Sequence, residues 1–509
     1  MRRLLALVLA ALLLTGCTPG PEGGERPQAE VVLNYYTIGE PDRDLVLVND
    51  ALNEILTEKY GFAVNYRKIG WNEYDNYLTA MLNTNQPFDI AFTWTDDYEA
   101  NALAGAWLDL TPYLQNEGAD MYAAVNEKFW KGVQIDGKVW GVPTNKELAV
   151  PLQFVFNREL VEKYGIDVSK YHTFHSLLPL LSMISENEPE YIPLFLDASR
   201  YDLMSTLGYE YITETLPLVL QTGSDSCRLV CGFQQPEVRS LLRTMRRYYQ
   251  AGYINADASI RTTFSRFGDE KVFLRLASGG PDIDASLSES FGYGVIAVQA
   301  ARSVATTASA RAAVMAVSAR SEHPREAVIF LNAVNTDPEI RNLLNFGIQG
   351  VHYELTEAGQ VRSISDGYQG VSYTQGNWFI LRTRQGESPD RWQTFEKFNN
   401  AAQESAILGF MPDYSAHPDI VEEVTRIYGK YYSALITGTV DPDTYVPQML
   451  DELQSAGLNT LQQDLQSQLD NWLAKQNEGN TESRAIEKRA KTQQARAELV
   501  RACCLCYIQ

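Results

Sequence analysis

What most constrains this chain is the alternation that opens its folded part. Val31-Val32-Leu33-Asn34-Tyr35-Tyr36 is β-rich and stops at Gly39 and Pro41. Leu45, Val48, Leu52 and Leu56 then recur at helical spacing, and Lys59-Tyr60-Gly61 is a helix end. Phe62 to Tyr66 predicts a second strand, Asn72 to Asn83 a second helix, and Phe88 to Phe92 a third strand. Each crossover helix returns the chain to the same sheet edge, so the strands run parallel. The fold class is therefore α/β, a parallel sheet with covering helices.

The same grammar returns in the middle. Tyr191 to Leu196, Phe273 to Leu276, Tyr293 to Val298 and Ala312 to Val317 read as strands. Pro236 to Ala251 reads as a strong helix, and another opens at Pro324, where proline fits the first turn. Near the end Leu458, Leu461, Leu465 and Leu469 line one helix face, closed by Trp472 and Leu473. With 509 residues the chain exceeds the roughly 250–300 at which one core splits, so at least two globular units are expected.

Both ends differ from this body. Arg2 and Arg3 lead into an apolar run, Leu4 to Leu14, about half the length needed to span a bilayer. That charge and length fit a secretory leader, 1–17. Its end, Leu14-Thr15-Gly16-Cys17, resembles a bacterial lipobox, which implies that Cys17 becomes the lipid-bearing first residue of the mature protein. Residues 18–30, rich in Pro, Gly and Glu, read as a flexible tether. Residues 477–509 turn weakly basic and read as an unstructured tail containing Cys503, Cys504 and Cys506. Cys506-Tyr507-Ile508-Gln509 mimics a prenylation box, a false positive behind such a leader. The remaining cysteines, Cys227 and Cys231, are too few for a disulfide framework and bridge only if the chain turns between them.

Charge and motifs narrow the function. A net charge of -21 argues against nucleic acid and against anionic headgroups. There is no phosphate-cradling P-loop, no G-x-S-x-G elbow and no H-E-x-x-H. His172 and His175 are the only close histidine pair, and no further zinc ligand accompanies them, so no metal or cofactor is expected. Three aromatic and polar clusters stand out instead: Tyr35 to Gly39, Thr93 to Tyr98, and Trp140 to Glu147. In open α/β sheets ligands bind outside the carboxyl ends of strands. Aromatic faces beside Asp, Asn, Lys and Glu suit a sugar, whose C–H face packs on a ring while its hydroxyls meet the polar groups.

Several stretches, in this order, resemble the family 1 extracellular solute-binding proteins of bacterial ABC importers. They are Asn85 to Phe92, Asp136 to Pro143 and Phe154 to Leu160. Gly347 to Tyr353, Gln375 to Trp378 and Gly409-Phe410 resemble a lipoprotein subgroup with a C-terminal domain of unknown function. The likeness covers roughly Val31 to Lys475; Cys227, Cys231 and the tail have no counterpart in it.

The resemblance implies a two-lobed, periplasmic-binding-protein-like fold of type II. Lobe one would hold 31–148 and 311–345, lobe two 149–310 and 346–476, with crossings near Ala149–Phe154, Val298–Ala310 and Phe346–Val351. It implies a lipid-anchored receptor on the outer face of the cell membrane that delivers a carbohydrate, an oligosaccharide, to a membrane permease. Tyr36, Trp94 and Trp140 would stack on the sugar, and Asp97, Asn145 and Glu147 would take hydroxyls. Gln349, His352 and Trp378 would approach from the second lobe or the hinge. A receptor for a peptide or other polar solute, and an exported glycoside hydrolase, stay open as alternatives.

Overall fold

The structure, a computed structural model, describes residues 29–476 apart from 85, 200, 224–226 and 263–269. The leader with Cys17, nearly all of the tether, and the Cys-rich tail lie outside the described residues. No described helix is long and apolar enough to cross a membrane.

The opening alternation folds as the sequence predicts: β1 (Val31–Ile38), α1 (Leu45–Tyr60), β2 (Phe62–Ile69), α2 (Tyr74–Thr84), β3 (Ile90–Thr93), then α3 (Thr95–Leu103). Val48, Leu52 and Leu56, one face of α1, are fully buried. Gly61 ends that helix at φ 78°, and its N–H closes on the carbonyls of Leu56 and Thr57. Later come α4 (Glu127–Val133), β4 (Gly141–Pro143), β5 (Leu152–Asn157), β6 (Ile192–Leu194), β7 (Tyr209–Tyr211), β8 (Val272–Ser278), β9 (Val295–Gln299), β10 (Val304–Ala305) and β11 (Val314–Val317). Then follow α5 (Pro324–Thr336), α6 (Pro338–Phe346), α7 (Arg391–Ala401) and β12 (Gln403–Glu404).

Two sheets carry two cores. The first has the order β2-β1-β3-β11-β4. β1, β2 and β3 are mutually parallel, and β11 is antiparallel to both β3 and β4, so β4 runs with β3. The second has the order β9-β5-β8-β6. The first core draws on Leu33 to Leu148 and on Ala305 to Leu344 with Tyr368; the second draws on Leu152 to Ala301 and on Ile407 to Leu469. The leucine stripe Leu458, Leu461, Leu465 and Leu469 is buried in the second core.

Residues 347–402 depart from the expected division. They attach to first-core elements: Tyr368 Oη donates to the Leu344 carbonyl (2.8 Å), Arg341 Nη2 to the Ser372 carbonyl (2.8 Å) and Asn377 Nδ2 to the Asn335 carbonyl (3.2 Å). The chain returns to the second core only after β12, which pairs in parallel with β10. The reason is an anchor that periodicity does not reveal. Arg341 is fully buried, and burial lowers its pKa to about 10. A buried guanidinium needs carbonyl partners, and the 368–378 segment supplies one.

Candidate functional site

Strand direction decides where the site is. Val314 of β11 faces Thr93 on one side and Pro143 on the other, so β3 and β4 end at the same sheet edge. The ends of β1 and β2 pair as Ile38 with Ile69. Beyond this carboxyl edge lie Gly39-Glu40, Gly70-Trp71, Trp94 to Asp97 and Thr144 to Glu147. In the second sheet, Ser278 at the end of β8 pairs with Leu152, the first residue of β5 after the crossing. Both carboxyl edges therefore open toward the crossing segment 144–152, as the binding rule for open α/β sheets requires.

The first-lobe edge is aromatic and polar. Trp71 stacks on Tyr373 with ring centroids 5.9 Å apart and planes 20° from parallel, and Tyr373 is 46 % exposed. The Trp71 N–H reaches the Glu40 carboxylate at 3.4 Å. Gly39, at φ 147°, lets Val371 close over the end of β1. Lys68, buried beneath, pairs with Asp42 at 2.6 Å and donates to the Gln369 carbonyl at 2.9 Å. The hydroxyls of Thr37, Thr93 and Thr144 are buried at this edge and have no protein partner among the described residues.

Glu147 sits where the two lobes meet. Burial holds its carboxyl above the ordinary range, while the Lys146 ammonium (3.9 Å) and the Arg391 guanidinium pull against it and Asp282 reinforces it. Its Oε2 is buried without a protein partner among the described residues. Arg391, the first residue of α7, pairs with Asp282 beyond β8 at 2.5 Å and lies 4.6 Å above the Trp392 ring. Trp392, Trp378 and Phe395 contact one another, and a side chain at Gly280 would meet Phe395 at 2.7 Å. The helix α7 thus braces the second-lobe edge against the first.

The structure sorts the sequence-predicted residues. Trp94 (half-buried, edge-on to Phe92 at 5.4 Å), Asp97 (exposed) and Glu147 lie at the carboxyl edge. Tyr36 does not face it: the ring is 2 % exposed and packs on Tyr77 in the first core. Trp140 precedes β4 and so lies at the opposite edge, about 10 Å from Pro143 along the strand. Its indole N–H reaches the Ile135 carbonyl at 3.4 Å, and Lys138 lies 5.4 Å from its ring.

Asn145 is buried, and its amide donates to the Ala124 carbonyl (3.1 Å) and to Asn377 Oδ1 (3.2 Å). Gln349 is exposed on a groove beside α1 and α6. His352 is buried; Nδ1 accepts from the Ile348 N–H (2.9 Å), leaving Nε2 toward Asp44 (3.4 Å). Trp378 donates to the Ser372 carbonyl at 2.8 Å and serves as packing. Trp71, Tyr373, Asp282 and Arg391 escaped the sequence reading. Trp71, two residues past the end of β2 and five past the predicted strand, carried a usable signal, whereas the other three come from distant segments.

Among the described residues no group of three His, Cys, Asp or Glu could hold a metal ion. His172 and His175 turn to different partners, the Ser169 carbonyl (2.7 Å) and Ser240 Oγ (3.4 Å). Cys227 and Cys231 are both buried, with no disulfide between them.

Residues 47–180 match the family model described as bacterial extracellular solute-binding protein, and residues 406–474 match DUF3502, a domain of unknown function. The chain is 29 % identical over 467 residues to a carbohydrate ABC transporter substrate-binding protein of Streptococcus pneumoniae serotype 4, covering 89 % of this chain and 92 % of the relative. Among solved structures it is similar to the N-glycan transport solute binding protein NgtS of Streptococcus pneumoniae, at 27 % identity and a TM-score of 0.79, over 87 % of this chain and 99 % of that one. Against NgtS in complex with Man5GlcNAc, again at 27 % identity and over 88 % and 99 % of the chains, the TM-score is 0.63. The sequence likeness being equal, the two scores differ through the arrangement of the structure. The two-lobed fold, the sheet edges that face one crossing and these matches agree: the chain carries a bacterial extracellular solute-binding domain followed by a C-terminal DUF3502 domain.

Proposed function

We propose that the protein is the extracytoplasmic substrate-binding receptor of an ABC importer, that it takes an oligosaccharide between its lobes, and that lipid on Cys17 tethers it to the membrane beside its permease. The observation that carries the sugar is the carboxyl edge of the first lobe. A stacked, part-exposed Trp71–Tyr373 pair stands there with Glu40, on the same carboxyl edge from which Trp94, Asp97 and Glu147 also extend. The relatives named for carbohydrate and N-glycan transport support the same class at 27 % identity and above.

In this reading the ring pair packs on the C–H face of a pyranose, as aromatic side chains pack on apolar surface. The carboxylates accept its hydroxyls. Glu147 and the Asp282–Arg391 pair lie between the lobes, so a ligand touching both edges stabilises the closed arrangement. Its differential contacts drive closure. Tethering keeps the loaded receptor at high effective concentration near the permease.

A thermal-shift screen of the protein against Man5GlcNAc, simpler oligosaccharides and a peptide mixture tests the ligand class. A ligand at a hundred times its Kd stabilises by about 2.7 kcal/mol. A peptide that shifts the melt while no sugar does overturns the carbohydrate reading, and new reducing ends on prolonged incubation with oligosaccharide overturn the receptor reading. Cys17→Ala should release the protein from the membrane; retention would remove the anchor from the proposal.

A further inference from the structure

Behind the ligand edges, the first two chain crossings line one cavity of about 300 Å³ that the sugar site does not use, and the third is hydrogen-bonded to its wall. Val150 to Leu152 line it from the first crossing, and Arg302, Val304 and Thr306 from the second. The third crossing arrives through Ser405, whose N–H donates to the Ala305 carbonyl at 3.0 Å. From the second lobe, Glu210 of β7 points into this junction and is 9 % exposed. Ser405 Oγ lies 2.7 and 2.9 Å from its two carboxylate oxygens and also accepts the Ile407 N–H at 3.1 Å. A second carboxyl, Asp202, lines the same cavity and accepts the Ser205 N–H at 3.0 Å.

We infer that Glu210 and Ser405 form a proton-linked brace on the hinge. With the Glu210 carboxyl neutral, the crossings pack dry around it. Loss of its proton places a charge beside Asp202 in a confined cavity, draws water in, and loosens the crossings so that the lobes move more freely.

Electrostatics set the sign. Burial pushes the Glu210 carboxyl up to about 7, against the pull of the Ser405 hydrogen bond and with help from Asp202. Burial pushes Asp202 up to about 6; hydrogen bonds from Ser205 oppose this and Glu214 adds to it. Facing the pair are Glu214 on the loop after β7 and Arg302 on the second crossing; Tyr211 interacts with Asp202, while the Tyr209 hydroxyl donates instead to the Glu237 carboxylate at 2.5 Å. A carboxyl whose folded pKa is raised favours the fold below its unfolded pKa and loses that contribution as pH rises through the folded value. The brace is therefore tight in mild acid and slack above neutral pH.

Hydrogen exchange of the whole protein at pH 5.5 and pH 8, corrected for intrinsic rates, reads the brace directly. Protection of the peptides covering 150–152, 302–306 and 403–407 should fall about tenfold across that interval, while the strands of both sheets hold theirs. Glu210→Gln, neutral at every pH, should keep the high protection at both. Asp202→Asn should move the fall to lower pH, because Asp202 raises the Glu210 pKa. Protection that is flat in the wild type, an unaltered fall in Glu210→Gln, or an unmoved or upward midpoint in Asp202→Asn would each overturn the inference.

Discussion

Gly39 is the residue on which the floor of the proposed sugar site turns, and replacing it with alanine separates two costs. Its φ of 147° lies in a region that L residues seldom adopt, a strain of about 1–3 kcal/mol. A Cβ there would also lie 2.8 Å from Val371 Cγ2 and 2.9 Å from Lys68 Cε. Neither neighbour yields freely. Val371 belongs to the segment anchored by Arg341, and the Lys68 side chain is 2 % exposed and held by Asp42. Overpacking of this kind costs a further 1–3 kcal/mol or so, making about 2–6 kcal/mol in total.

Gly61→Ala is the control. Its φ is 78°, but nothing lies within 4 Å of the added Cβ, so only a left-handed penalty of about 1–2 kcal/mol remains. Urea unfolding followed by circular dichroism gives both values from midpoints at a shared slope. Gly39→Ala should unfold earlier than Gly61→Ala by at least about 1 kcal/mol and should weaken sugar binding, which Gly61→Ala leaves alone. Equal midpoints for the two would refute the close approach of the 368–375 segment to the end of β1.

Other perturbations follow from the same geometry. Arg311 is 1 % exposed, donates to the carbonyls of Gly132 (2.8 Å) and Gln134 (2.9 Å) and pairs with Glu99; Arg311→Met should cost about 3–5 kcal/mol, and a melt within two degrees or so of the parent would contradict that. Trp71→Ala or Tyr373→Ala should weaken oligosaccharide binding by about tenfold or more, measured by calorimetry, whereas Trp140→Ala at the opposite sheet edge should not. Burial pushes the Cys231 thiol up to about 11, so at pH 8 Cys227 and Cys231 should resist alkylation until denaturant is added; rapid labelling of both in the native protein would show that the second core is not closed over them.

The opening βαβαβ unit was legible because its cues are local. The helical spacing of Leu45, Val48, Leu52 and Leu56 and the stop at Gly61 fix α1, and α1 fixes the parallel pairing of β1 with β2. The edge that would bear ligand was legible in part, since Trp94 and Asp97 follow a predicted strand end and Glu147 closes the third aromatic and polar cluster. Tyr36 and Trp140 misled for a physical reason. β1 is an interior strand whose second half, Tyr35 to Ile38, is buried on both faces, so Tyr36 packs on Tyr77 instead of facing a ligand. The direction of β4 depends on β11, which lies some 170 residues later (Pro143 against Val314).

By itself, then, the sequence determined the strand-and-helix grammar, the α/β class and the aromatic character of the strand ends, all of which rest on contacts or spacings within a few residues. Tertiary structure decided which edge of each sheet faces the crossing, that residues 347–402 attach to the first core, that Trp71 meets Tyr373 and Arg391 meets Asp282, and that Glu210 meets Ser405 beside the crossings. Each of these joins residues far apart in the chain, and the energy that pairs them comes from burial and charge compensation, which no local pattern records.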